Sequence, residues 1–235
     1  MRVAVMQPYL FPYIGYWQLI NAVDKFVILD DVNYIKRGYI NRNSILINGK
    51  SYMFSIPVKS ASQNRLIMDT QLNFDEKEKK RFISRIENSY KKALMFNTVM
   101  PHIEKVVGNN TEDLTNFIRY SLEEIMTYLG IKTPLLKSSD LAKDNSLIAQ
   151  DRILEICKCV GADIYINPSG GRELYRADEF LKQNIQLFFL DTRFGRINYK
   201  QFDNEFVNSL SIIDVLMFNP IEKIQSFLKE YDLNG

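Results

Sequence analysis

Apolar and polar positions change period several times along the chain, and each change marks an element. Val3 to Met6 is an unbroken apolar run, the pattern of a short strand buried on both faces. It leads into a loop with Gln7, Pro8, Tyr9, Pro12, Tyr13, Gly15 and Tyr16. A helical stretch follows, then a second apolar run, Phe26 to Leu29, that stops at Asp30-Asp31. Strand, loop, helix and strand in that order open a parallel βαβ unit. Two β-rich runs, Ser44–Ile47 and Tyr52–Val58, then flank Asn48-Gly49, which predicts a hairpin with a two-residue turn over about residues 44–58.

From Asp75 the period becomes helical. Asp75 suits an N-cap, and the charged run Glu76 to Arg81 reads as a solvated first face. A second helix is expected after Pro101 and a third from Thr111 to Gly130. The third carries Leu114, Phe117, Ile118, Leu122, Ile125 and Leu129 at three- and four-residue steps. Together these make a helical insertion over about residues 75–130. After Pro134 the α/β rhythm returns. Leu135-Leu136 runs into Ser138-Ser139-Asp140, and a helix from about Ser146 to Val160 is closed by Gly161. A strand, Asp163 to Ile166, ends in Asn167-Pro168-Ser169-Gly170-Gly171-Arg172. A helix over Asp178–Gln183, a strand over Gln186–Leu190 and two helices near Ser211 and Pro220 complete the chain. With no repeat and no linker, the expectation is one α/β domain over residues 1–235 with an open, mainly parallel sheet.

Composition narrows the partners. The chain is 46% hydrophobic, enough for a sizeable core, and 30 basic residues against 28 acidic leave a net charge of only +2. That argues against a general nucleic-acid partner and for an anionic small molecule met by a local basic patch. Cys157 and Cys159 are two apart on a predicted helix, roughly 200° around its axis, so they do not face each other. The single histidine, His102, is far from both. No metal site is expected, and buried thiols in a reducing compartment fit better. The opening run is cut at Gln7-Pro8, too early for a signal segment, and no run approaches the roughly 20 apolar residues of a bilayer span. A cytoplasmic protein without membrane insertion is expected.

Ligands of open α/β sheets bind outside the carboxyl ends of the strands, and here two such ends run into polar chemistry. Asp30 and Asp31 are the first catalytic candidates. Alternation along a strand points them to opposite faces, so one is expected in the cleft; the alternative is that both pair with Lys36, Arg37 or Arg42. His102 becomes the natural general base if it projects towards the cleft. Lys36, Arg37 and Arg42 suit a diphosphate, and Asn41 and Asn43 suit sugar hydroxyls, against the alternative of a solvated basic turn. Gln7, Tyr9 and Tyr13 are candidates for ligand contact, and Trp17 for the core. Ser169, Gly170 and Gly171 form a turn able to hold a phosphate on backbone N–H groups. The expected ligand is a nucleotide or nucleotide sugar. Mg²⁺ is compatible with the carboxylates, and no resident cofactor is specified.

Two resemblances extend these readings. Tyr13-Ile14-Gly15-Tyr16, followed by Leu19-Ile20, is similar in spacing to the His-x-Gly-His step of HIGH-superfamily nucleotidyltransferases, with tyrosine at both histidine positions. It implies a related scaffold without the cationic phosphate ligands. A longer set of motifs resembles the WbqC-like protein family: Met6-Gln7-Pro8-Tyr9, Phe11-Pro12-Tyr13-Ile14-Gly15-Tyr16, Asp30-Asp31-Val32, Tyr34-Ile35-Lys36-Arg37-Gly38, Asn41-Arg42-Asn43, Gly161-Ala162-Asp163-Ile164-Tyr165 and Leu210-Ser211-Ile212-Ile213-Asp214. That resemblance implies a role in O-antigen or other surface-polysaccharide biosynthesis. The function it implies is a transferase acting on a nucleotide-linked amino sugar, by acyl or aminoacyl transfer. The alternatives are a nucleotidyltransferase with altered phosphate ligands and a non-catalytic subunit of a biosynthetic complex.

Overall fold

The computed structural model describes residues 1–235. In chain order the elements begin with β1 (Arg2–Met6), α1 (Ile14–Ala22) and β2 (Lys25–Ile28), followed by the hairpin β3 (Arg42–Ile47) and β4 (Lys50–Ser55). Three helices follow: α2 (Glu76–Tyr90), α3 (Phe96–Val107) and α4 (Leu114–Leu129). Then come β5 (Leu135–Lys137), α5 (Ala149–Val160), β6 (Ile164–Pro168), α6 (Ala177–Leu181) and β7 (Gln186–Thr192). The chain closes with α7 (Ile212–Phe218), α8 (Ile221–Phe227) and β8 (Tyr231–Asn234).

Six strands form one sheet in the order β5-β2-β1-β6-β7-β8, all parallel except β8, which runs antiparallel to β7. Counted by their appearance in the chain, these strands lie 3-2-1-4-5-6, the doubly wound order, so the order reverses between β1 and β6. The apolar runs read as strands are buried on both faces, and their alternation sorts the core. Ala4, Phe26 and Ile28 face the larger cluster of 50 buried residues, beneath α1 and the helical layer α2–α4, α7 and α8. Val3, Val5 and Val27 face a second cluster of 13, covered by α5 and α6. No helix is long and apolar enough to cross a membrane.

Most local signals act as expected. Asp75 accepts from the Glu78 N–H at 2.9 Å and caps α2, and Gly130 and Gly161 end α4 and α5 in the left-handed region. Asn48 and Gly49 both have positive φ, 50° and 72°, as a hairpin turn of this type requires. The departures have physical causes. The hairpin is shifted towards the N-terminus, pairing Arg42 with Ser55. The second helix starts at Phe96 and takes Pro101 inside it. The donor that Pro101 lacks would have reached the carbonyl of Asn97, an exposed residue that water can satisfy. The fifth helix starts at Ala149, three residues beyond Ser146. Cys157 is buried, which pushes its thiol up to about 12, whereas Cys159 is exposed.

Candidate functional site

A cavity of about 630 Å³ opens at the carboxyl ends of β1 and β6, the reversal point of the sheet. Its floor is the end of β1 and the loop that follows, and its far wall is the end of β6 and the turn at Gly170-Gly171. The loop from Gln7 to Tyr13 is held by donors aimed at its carbonyls. The Asn43 amide donates to Leu10 O and Phe11 O at 3.0 and 2.8 Å, and Ser211 Oγ donates to Phe11 O at 2.7 Å. Trp17 Nε1 donates to Pro12 O, and the buried Tyr16 hydroxyl donates to Gln7 O, both at 2.9 Å. These bonds fix Phe11 at φ 41°, buried, in a conformation that few non-glycine residues adopt. Two glycines let the walls close up. A Cβ at Gly15 would stand 2.4 Å from the Tyr13 ring, and one at Gly171 would stand 2.1 Å from the Asn167 amide nitrogen.

The wall is aromatic and carries no formal charge. Tyr9, Tyr13, Tyr16, Tyr39, Tyr175 and Phe194 dominate it, and no Asp, Glu, Lys, Arg or His lines it. Ring contacts run from core to mouth: Tyr16 to Phe26 at 5.3 Å, Tyr9 to Tyr16 at 5.5 Å, Tyr9 to Tyr39 at 5.9 Å and Tyr13 stacked on Phe194 at 6.3 Å. Burial raises the Tyr9, Tyr13 and Tyr175 hydroxyls above their ordinary value, so at neutral pH they are protonated donors. Asn43, Asn167 and Tyr16 spend their polar groups on the chain itself. Gln7, Tyr9, Tyr13, Tyr39 and Ser209 keep side-chain hydrogen-bonding capacity for a ligand.

The structure divides the residues expected from sequence. Gln7, Tyr9, Tyr13, Asn43, Gly170 and Gly171 line the cavity, while the charged candidates do not. Asp30 is fully buried and accepts from the Ser139 N–H and hydroxyl at 3.0 and 2.7 Å. Burial raises its carboxyl above the ordinary range, against the Ser139 bonds that lower it. Asp31 accepts from Lys143, whose ammonium also reaches Ser138 O and Asn145 Oδ1. Arg152 lies 3.9 Å from Asp31 and donates to its carbonyl. Neither aspartate pairs with Lys36, Arg37 or Arg42, because partners from the β5 and α5 segments reach them first.

The remaining candidates also sit outside the cavity. Lys36 and Arg37 are exposed. Arg42 Nε donates to Gly38 O at 2.8 Å, and Asn41 bridges Tyr34 and Ile56, so both brace the 34–41 loop. Ser169 does not line the cavity. Nearby, Arg172 and Asn234 bond Asp191, and although burial raises that carboxyl, its hydrogen-bonding neighbours hold it below the usual range. His102 lies on α3, 2.7 Å from Glu124, which Lys105 also meets at 2.6 Å. Sequence reading missed Tyr39, Asn167, Tyr175, Phe194 and Ser209. Asn167 adjoined the Ser169-Gly171 turn already singled out, whereas Tyr175 and Phe194 reach the cavity only through the fold.

Comparison with known proteins gives one coherent result. The chain is similar to Rv1507c of Mycobacterium tuberculosis, an uncharacterized protein, at 27% identity over 230 residues covering 97% of each chain. No solved structure matches it. The likeness to HIGH-superfamily nucleotidyltransferases finds no counterpart among these matches. The family model that does match, for the WbqC-like protein family, spans residues 7–226 and includes both walls of the cavity. The chain belongs to the WbqC-like protein family.

Proposed function

We propose that this chain is a transferase acting on a nucleotide-linked amino sugar, or a similarly activated small molecule, in surface-polysaccharide biosynthesis. The observation that carries the reading is the chemistry of the cleft: uncharged, aromatic, furnished with unused donors and set at the reversal point of a doubly wound sheet. Tyrosine faces stack on a base or on the C–H face of a sugar, and the Gln7 amide and tyrosine hydroxyls suit sugar hydroxyls. Such a wall takes the neutral part of the ligand. The diphosphate then belongs at the Gly170-Gly171 turn, where a Cβ at Gly170 would meet nothing within 4 Å and backbone N–H groups favour an anion.

Acyl transfer to the sugar amine suits these residues. The amine lone pair attacks the acyl carbon, the C–N bond forms as the bond to the leaving group breaks, and the amine proton departs with the leaving group. The chain contributes orientation and neutral donors for the carbonyl oxygen that gains charge. Isothermal titration with a panel of nucleotide sugars tests the binding step. Tyr13→Phe removes one hydroxyl and is expected to weaken binding roughly fivefold, the equivalent of about 1 kcal/mol, with the unfolding midpoint unchanged. No measurable heat from any nucleotide sugar, nucleoside diphosphate or free amino sugar would sink the reading.

A further inference from the structure

Three segments from distant parts of the chain repeat one composition around the cleft mouth. Ile35-Lys36-Arg37-Gly38-Tyr39, Arg172-Glu173-Leu174 and Arg193-Phe194-Gly195-Arg196 each set large hydrophobic residues beside cations. Tyr39, Leu174 and Phe194 line the cavity yet are 50%, 68% and 39% exposed, and Ile35 is 46% exposed. They are four of only ten large hydrophobic residues so exposed in the chain, a concentration at one place that marks an interaction surface. Arg172 and Arg193 are paired with Asp191 and Asp232. Lys36, Arg37 and Arg196 are exposed and form no ion pair within the chain; Glu173 is the one exposed, unpaired acid in the three segments, which leaves three free cations against one anion. The 35–39 tip is a built structure: Gly38 N donates to Ile35 O, Leu10 N donates to Tyr39 O, and Arg42 holds Gly38 O.

We propose that this mouth is a peripheral docking face for the anionic surface of a lipid bilayer, so that the cleft opens onto the headgroups. Aromatic and aliphatic side chains interleaved with lysine and arginine fit the headgroup boundary, where apolar tips sink into the acyl edge and cations meet phosphates. An acidic protein would have to match all three segments in register; a bilayer surface has no register to match. The exposed stripe of α2 also carries unpaired Lys77 and Lys80, but Ser84 and Asn88 continue it without an apolar residue. That stripe is a solvated face and provides the control.

The inference rests on the proposed function only for the position of the cleft. Nucleotide-sugar binding is measured without vesicles, so either reading can fail alone. The full chain is sedimented with vesicles of phosphatidylglycerol and phosphatidylethanolamine in equal parts, and with phosphatidylcholine vesicles. Binding is expected to the first alone, falling as salt rises. Lys36→Glu, Arg37→Glu and Arg196→Glu together should weaken it by roughly tenfold or more, Leu174→Ser with Phe194→Ser should weaken it further, and Lys77→Glu with Lys80→Glu should leave it unchanged. Absence of wild-type binding to the anionic vesicles, or an equal loss in the α2 pair, overturns the proposal.

Discussion

Two strand pairs finish side by side at the carboxyl edge of the sheet, and they finish in opposite chemistry. β2 and β5 end in Asp30, Asp31, Ser138 and Ser139, and Lys143 and Arg152 close over them. That corner is dense in charge and sealed. β1 and β6 end in tyrosines, amides and glycines around an open cavity without a formal charge. The difference teaches that charge density along a sequence locates polar groups without saying whether they are spent. Asp31 Oδ1 and Ser138 Oγ have no hydrogen-bond partner, yet they are buried away from the cavity and out of a substrate's reach, while a neutral tyrosine hydroxyl facing the cavity is free to bond one.

The largest effect that would break this comparison lies in the sealed corner. Lys143 and Asp31 are 1% and 8% exposed, and the ammonium makes three bonds there. Lys143→Met leaves Asp31 charged and enclosed, and is expected to cost about 3–5 kcal/mol in urea unfolding. Adding Asp31→Leu should restore most of that, because the orphaned charge goes with it. A loss under about 1 kcal/mol, the range of solvated pairs, would mean that the corner is open to water and available for chemistry.

The parts of this arrangement that could be read from sequence were those set by local patterning. Apolar runs identified β1, β2, β6 and β7, Asn48-Gly49 identified the hairpin, and the strand ends pointed to the edge of the sheet where the cavity opens. What stayed hidden depends on partners far apart in the chain. Lys143 sits 112 positions from Asp31, and nothing in its neighbourhood of Ala142, Asp144 and Asn145 marks it as a buried cation. β8 is a four-residue segment, Tyr231–Asn234, too short for alternation to register. It is a strand because β7 offers it a paired edge and Arg193 holds Asp232. Phe194 and Tyr175 lie in ordinary polar stretches and become cavity walls only when β6 pairs with β1 and β7 with β6.

A smaller effect sharpens the comparison through pH. Burial raises the Asp30 carboxyl above its ordinary value of 3.8, with the Ser139 bonds opposing and Asp31 adding to the rise. The folded chain therefore holds this proton more tightly than the unfolded chain. The resulting stabilisation is complete below the unfolded value and lost as pH rises through the folded one. Asp30→Asn cannot titrate. The stability of the wild type relative to that variant should therefore fall as pH rises above 3.8 through the acid range, measured by urea unfolding at a series of pH values. A rise over the same range would show that the Ser139 bonds outweigh burial and that Asp30 is an ordinary ionised carboxylate, poised as a base.

The smallest expected effect is at His102, a general-base candidate on the condition that it projected towards the cleft; it lies instead outside the cavity lining. Its imidazole is bonded to Glu124 and lies 4.8 Å from the Tyr128 ring, within the α3–α4 layer. Burial acts to raise the Glu124 carboxyl, yet the bonds from Lys105 and His102 hold it below the ordinary range. His102→Ala leaves Lys105 on that carboxylate, so the expected cost is within about 1 kcal/mol, as for a partly exposed pair. Nucleotide-sugar affinity should be unchanged, because no atom of the α3–α4 layer lines the cavity. A drop in affinity or turnover at an unaltered unfolding midpoint would couple the helical layer to the cleft. The contrast between a sealed charged corner and an open neutral one would then no longer describe where the chemistry lies.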